Sequence, residues 1–216
     1  MREHTNSYEL QVNGGDVYKT IAGVSEGYIT EQRSKFISYA IPVRTPEDVK
    51  EKVETFRKQY YDARHVCWAY MLGVERLQFR VNDDGEPSST AGKPILGVIN
   101  SHGLTDVLIV VVRYFGGIKL GTSGLIAAYR AAALDAITQA EIIEKTVNKT
   151  VTIGFSYPFL NKVMKIVKDI NPQILVQKFE MDCEMTLQIR QSEMENLKNR
   201  LLKVESLQEI NPYSTS

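Results

Sequence analysis

Residues 107–125 read VLIVVVRYFGGIKLGTSGL. The first six are all apolar, which predicts a strand buried on both faces rather than one with a wet side. The apolar run stops at Arg113. Tyr114, Phe115 and four glycines (Gly116, Gly117, Gly121, Gly124) follow, interleaved with Lys119, Thr122 and Ser123. From Thr122 or Ser123 to Ala140 the chain is rich in alanine and leucine and reads as a helix. A strand passing through a glycine loop into a helix is a building unit of mixed α and β domains.

The flanking segments fit the same class. Residues 34–43, SKFISYAIPV, read as a strand. Thr45 is a natural N-cap, Pro46 suits the first helical position, and Glu47 and Asp48 suit the positive helix end. Val49, Val53, Phe56 and Tyr60 continue at helical spacing to about Tyr60. Residues 66–73 and 75–81 read as a hairpin turning at Gly73. Turn formers fill 82–90, and a short helix is expected from Gly92, with Pro94 in its first turn, to Gly103. A second unit begins near Lys145. It has a strand over 147–155, a helix opened by Pro158 and ended by Asn171-Pro172, and apolar residues at every second position from Phe179 to Ile189. That last run reads as two strands meeting near Met181-Asp182. Ser192 and Glu195 have capping-box spacing before a final helix, with a short strand near 204–210. The order βαββα(β) is the split βαβ pattern of a ferredoxin-like domain. The expected organisation is a mobile leader over 1–16, an α+β domain over 17–144 and the ferredoxin-like domain over 145–216.

The chain has 216 residues, 43% apolar and 24% charged, which excludes a disordered or low-complexity protein. Its 26 basic and 26 acidic residues cancel, so any anion site must be local. Cys67 and Cys183 read as reduced cytosolic thiols, and with three histidines they show no zinc spacing. No apolar run approaches the ~20 residues of a membrane helix, and the N-terminus has no hydrophobic signal core. The expected location is the cytoplasm.

Four stretches could carry chemistry. In 83–94, DDGEPSSTAGKP, the carboxylates of Asp83, Asp84 and Glu86 could bind a metal, act as acid and base, or cap backbone groups of a solvated turn. Ser88, Ser89, Thr90 and free helix N–H groups there could hold an anion beside Lys93. In 113–124 the glycines and Ser123 allow backbone N–H groups to approach a ligand, with Arg113 and Lys119 adding charge; the other reading is a strand–helix corner. The spacing matches neither a P-loop nor GxGxxG. His65 and Cys67 would share one strand face, as a nucleophile and base would, although Cys67 also fits a small buried hydrophobe. Ser34 and Lys35 head a strand. The acidic and basic stretches could instead pair with each other.

These stretches together resemble the YigZ/IMPACT family. The carrying residues are SKFI (34–37), His65-Val66-Cys67, DDGEPSSTAGKPIL (83–96) and VVVRYFGGIKLGTSGL (111–125). Ser89 and Ser123 stand where the family commonly has glycine. The resemblance implies an N-terminal α/β sandwich like domain IV of elongation factor G, its sheet covered on one side by helices. It also implies a ferredoxin-like C-terminal domain like domain V. Eukaryotic members act in translational control by protein binding on the pathway of a starvation-responsive kinase; that partner is not carried over, because they bear a different accessory domain.

The resulting expectation is a cytoplasmic, translation-associated regulatory or binding protein that touches RNA, the ribosome or a ribosome-bound factor. Arg113, Lys119 and Lys93 would contact phosphate, and Tyr114 or Phe115 would stack on a base. No catalytic residue, metal, cofactor, membrane contact or DNA sequence specificity is expected. The alternatives are an enzyme on a small phosphate-bearing substrate and a protein-interaction module without nucleic-acid contact. No HExxH or GxSxG motif supports the enzyme.

Overall fold

The computed structural model describes residues 16–205 and 207–211; apart from Asp16, the expected leader lies outside them. In chain order the elements are β1 (Val17–Ile21), β2 (Ser25–Glu31), β3 (Ser34–Pro42), α1 (Pro46–Gln59), β4 (His65–Leu72) and β5 (Gln78–Asn82). Then come α2 (Gly92–Ser101), β6 (Val107–Tyr114), α3 (Gly121–Thr138), β7 (Ile142–Thr146) and β8 (Asn148–Ser156). A 3-10 turn, Tyr157–Phe159, leads into α4 (Leu160–Ile170), β9 (Gln173–Lys178), β10 (Asp182–Arg190), α5 (Gln191–Leu201) and β11 (Gln208–Asn211). Two compact units result: one of Tyr18–Lys145, and one that holds the described residues from Thr146 onward together with Asp16 and Val17.

The first unit is built on a five-stranded antiparallel sheet ordered β2-β3-β6-β4-β5. β6 is central, and residues 107–113 are all buried. Val107, Ile109 and Val111 share a core with Phe36, Ala40, Cys67 and Ala69 beneath α2 and α3. Leu108, Val110 and Val112 face the other way, toward Tyr39, Ile41 and Tyr70 and toward Val49 and Val53 of α1. The sheet therefore carries helices on both faces, which corrects the one-sided cover implied by the family resemblance. The unbroken apolar run has this cause: a strand with no wet side has nowhere for polar residues to point. The α3 backbone lies close to the sheet, because Ser25 and Ser38 donate their hydroxyls to its Ala136 and Ala132 carbonyls at 2.8 and 2.6 Å. α1 has the expected capping box: the Asp48 N–H donates to the Thr45 hydroxyl, and the Thr45 N–H donates to the Asp48 carboxylate. β1 and β7 pair in a separate two-stranded sheet.

In the second unit the strands are antiparallel and ordered β11-β8-β10-β9, the split βαβ arrangement. Val151, Ile153 and Phe155 of β8 and Cys183, Met185, Leu187 and Ile189 of β10 point to one face. There they bury Val163 and Val167 of α4 and Met194, Leu197 and Leu201 of α5. Asn171 ends α4 in the left-handed conformation, φ 56°. Two expectations need correction. Phe179 and Met181 lie between β9 and β10 rather than in a strand, and Met181 is 89% exposed. Ser192 is not an N-cap: α5 begins at Gln191, and the Ser192 N–H and hydroxyl both donate to Asp16. The Asp16 carboxylate thus serves the positive end of α5.

Candidate functional site

The two motifs meet where β6 ends. Arg113 lies on the α3 side of the sheet and is 5% exposed; Glu86 is 9% exposed. The Arg113 Nη1 donates to Glu86 Oε1 at 2.5 Å, and Nη2 reaches Ser34 Oγ at 3.4 Å. The guanidinium lies over the rings of Phe36 and Phe115, 5.5 and 5.7 Å from their centroids. Tyr129, fully buried in α3, donates its hydroxyl to the same Glu86 oxygen at 2.8 Å. His65 Nδ1 is 2.7 Å from the Asp84 carbonyl, which can only accept, so Nδ1 carries the proton. His65 Nε2 lies 3.7 Å from Glu86.

The other two carboxylates are also bonded within the fold. Asp83 accepts from the Ser89, Ala91 and Gly92 N–H groups at 2.8–3.0 Å and so caps α2. Burial alone would raise its pKa, but the Ser89, Gly92 and Ala91 donors and the Lys93 charge hold the carboxyl below its ordinary range. Asp84 accepts from the Val66 N–H at 2.7 Å and from Arg57 at 2.5 Å. The Thr90 hydroxyl donates to the Pro87 carbonyl. The acidic loop is a clasp fastening α2, β4, α1 and β6. The anion site expected at Ser89, Thr90 and the α2 N-terminus is filled by the protein's own Asp83. No group of His, Cys, Asp and Glu poised for a metal exists among the described residues.

Arg113 is likewise corrected from a phosphate contact to a buried partner of Glu86. Cys67 and His65 share a face but do not meet. The Cys67 thiol is bonded to the Asp83 carbonyl at 3.0 Å and the Tyr129 hydroxyl at 3.4 Å. Burial pushes this thiol above its ordinary value, and the Tyr129 hydrogen bond offsets only part of that, so it is a poor nucleophile.

The glycine loop is anchored rather than loose. The Gly116 N–H donates to Ser34 Oγ at 3.2 Å, and a Cβ at Gly116 would lie 2.0 Å from the Arg33 carbonyl carbon. Only glycine allows that approach. Gly117 and Gly121 have φ of 88° and 69°, as a tight strand–helix corner needs. Ser123 lies in the first turn of α3, where no left-handed residue is required; Ser89 has φ 66° and carries strain that glycine would relieve. Lys35, Ser88, Lys93, Phe115, Lys119 and Ser123 are exposed. α3 starts without a side-chain cap. The Tyr114 hydroxyl donates to Asp62 at 2.8 Å, and burial followed by that bond pushes its pKa up to about 12. Tyr129 and Arg57 join the site from outside the four candidate stretches. Tyr129 offered one signal, a phenol inside an alanine-rich apolar helix, because a buried hydroxyl needs a partner.

A family model of the Impact N-terminal domain matches residues 32–137. A Bacillus subtilis relative, IMPACT family member YvyE, is 36% identical over 146 residues, 68% of this chain and 67% of its own. An IMPACT family member from Haemophilus influenzae is 32% identical over 81% of this chain and 86% of its own. A crystal structure of a hypothetical protein superposes with TM-score 0.67 at 28% identity, covering 89% of this chain and 96% of that one.

Proposed function

The chain belongs to the IMPACT family, and from that premise we propose that it is a cytoplasmic, translation-associated binding protein. It contacts RNA, the ribosome or a ribosome-bound factor through the face that carries the glycine loop. The likeness of its two units to domains IV and V of elongation factor G is part of the same reading. One observation carries the proposal. The acidic loop pairs Arg57 and Arg113 within the fold, while Lys93 in the first turn of α2 stays exposed, as does Lys119, two residues before an α3 N-terminus without a side-chain cap. Helix N–H groups with nearby ammonium groups suit phosphate. The enzyme reading is weaker, because each carboxylate it would use is already bonded within the fold.

The test is co-sedimentation with ribosomes at low and high salt. Wild type is compared with the Lys93→Ala/Lys119→Ala variant, whose changes are both at exposed positions. The expected result is salt-sensitive binding that weakens in the variant. Failure to sediment at either salt refutes the translation reading. Binding that survives nuclease and high salt moves the contact to a protein.

A further inference from the structure

On the α1 side of the first unit's sheet, a groove of about 380 Å³ lies past the part that α1 covers. It is lined by Tyr28, Arg33, Lys35, Ile37, Tyr114 and Phe115. We infer that this groove is a stacking site for single-stranded RNA, which deepens the proposed function and rests on it.

The strand register builds the site. Tyr28 of β2 lies directly across from Ile37 of β3, and Lys35 of β3 lies directly across from Tyr114 of β6. Directly opposed side chains start about 5 Å apart. A base stacked on the tyrosine side therefore brings its phosphate within reach of a long lysine. Tyr28 is 53% and Phe115 49% exposed, so both side chains are open to a ligand from solvent. Arg33 and Lys35 are exposed and have no ion pair among the described residues. The combination of ring faces with unpaired cations is how a protein holds single-stranded nucleic acid without reading its sequence. The volume lies within the roughly 300–1,000 Å³ range of small-ligand clefts.

The walls are held in place before any ligand arrives. Gln32 and Arg33 both have positive φ, 43° and 66°, which makes the β2–β3 turn tight. Gly116 packs on the Arg33 backbone, so the hairpin carrying the cations and the segment carrying Phe115 are locked together. The Phe115 ring also rests on the buried Arg113 guanidinium, and the Tyr114 hydroxyl is tied to Asp62. Rings fixed in this way lose little freedom on binding. A protein partner is less well served. Ile37 is the only aliphatic residue in the lining, whereas a protein hot spot needs a larger dry apolar centre.

Fluorescence anisotropy of a labelled oligouridylate with the full chain tests this. Tyr28→Ala and Phe115→Ala are each expected to weaken binding by about 10-fold, with Tyr28→Phe and Phe115→Trp near wild type. Lys35→Ala is expected to lower the salt slope by about 0.7. Circular dichroism melting of each variant checks folding, which changes at exposed positions should leave intact. The inference is overturned if oligouridylate does not bind. It is equally overturned if Tyr28→Ala and Phe115→Ala bind as wild type, if duplex RNA competes as well as single strands, or if oligothymidylate binds more tightly. Ribosome sedimentation that needs Tyr28 and Phe115 without any oligouridylate binding would assign the groove to a protein. The two proposals fail separately. Sedimentation without oligouridylate binding removes only the groove, and groove-dependent oligouridylate binding without sedimentation removes only the translation reading.

Discussion

Glu86→Ala should destabilise the first unit severely, and the size follows from what it leaves behind. Glu86 and Arg113 are both more than nine-tenths buried and bonded at 2.5 Å. Removing one partner of a buried pair strands the other charge, at a cost of about 3–5 kcal/mol. Tyr129 also loses the acceptor for its hydroxyl, worth about 1–3 kcal/mol for a buried donor left unmade. The two losses share one cavity and are not fully additive, so about 4–6 kcal/mol is expected. That corresponds to a fall in Tm of roughly 15–22 °C for a domain of this size. Trp68, the only tryptophan, lies on β4 in this unit, so urea denaturation followed by its fluorescence reads the right transition. Glu86→Gln should fall between, since it keeps an acceptor but not the charge. Glu86→Leu with Arg113→Met should recover much of the loss, because an apolar pair leaves no charge to desolvate. A cost below about 1 kcal/mol for Glu86→Ala would refute the buried-pair account and return Arg113 to the set of free cations.

Three further outcomes follow from the same loop. The folded-state pKa of Asp83 is depressed, so its contribution is present above the unfolded value and is lost as pH falls through the folded one. Asp83→Asn should therefore cost stability at neutral pH and flatten the acid limb below about pH 4, measured by urea midpoints against pH. Burial raises Cys67 and Tyr129 from ordinary values of 9.0 and 10.0, so their contribution is full below those values and is lost as pH rises beyond them. Cys67 should resist alkylation at pH 8 until the fold opens, and Cys67→Ala should cost about 1 kcal/mol or less; fast alkylation of folded protein by iodoacetamide would contradict this. Ser89→Gly should raise the urea midpoint, by an amount equivalent to up to about 1 kcal/mol of stability, since it relieves a left-handed serine at some cost in unfolded-chain entropy.

Most of the fold was legible because burial writes itself into periodicity. Residues 107–112 gave β6 from their unbroken run, and the alternation from Cys183 to Ile189 gave β10. β1, β2 and β7 were missed, and the reason is physical. They are edge or short strands such as SEGYITE, whose outer faces are wet and whose residues carry no period strong enough to read. Ser192 and Glu195 had capping-box spacing, but Asp16, distant in sequence, supplies the cap. The site followed the same rule. Spacing identified both loops, but it could not show that Glu86 reaches Arg113 or that Asp83 turns back onto α2. The first is a contact between segments 27 residues apart, and the second depends on a loop turning back six to nine residues, a conformation that spacing does not encode.

Neutral composition and exposed cations are compatible once the charges are sorted in space. Glu86 takes Arg113, Asp84 takes Arg57, and Asp83 is spent on helix N–H groups. The acids of the 83–86 loop are thus bonded within the fold, while Arg33 and Lys35 of the groove, Lys93 of α2 and Lys119 are exposed. This bounds the electrostatics of binding. Were all four to contact one strand, the slope of log K against log salt would be near −3, at about −0.7 per contact, and a flatter slope would count the cations that engage. Lys35→Ala and Lys119→Ala should each remove about one contact, while Arg113→Met combined with Glu86→Leu should leave the slope unchanged. A wild-type slope near −6 would require cations from elsewhere on the chain. A slope that falls in the Arg113 and Glu86 double variant would mean the buried pair opens to meet the ligand, and the clasp would then be part of the binding surface rather than its support.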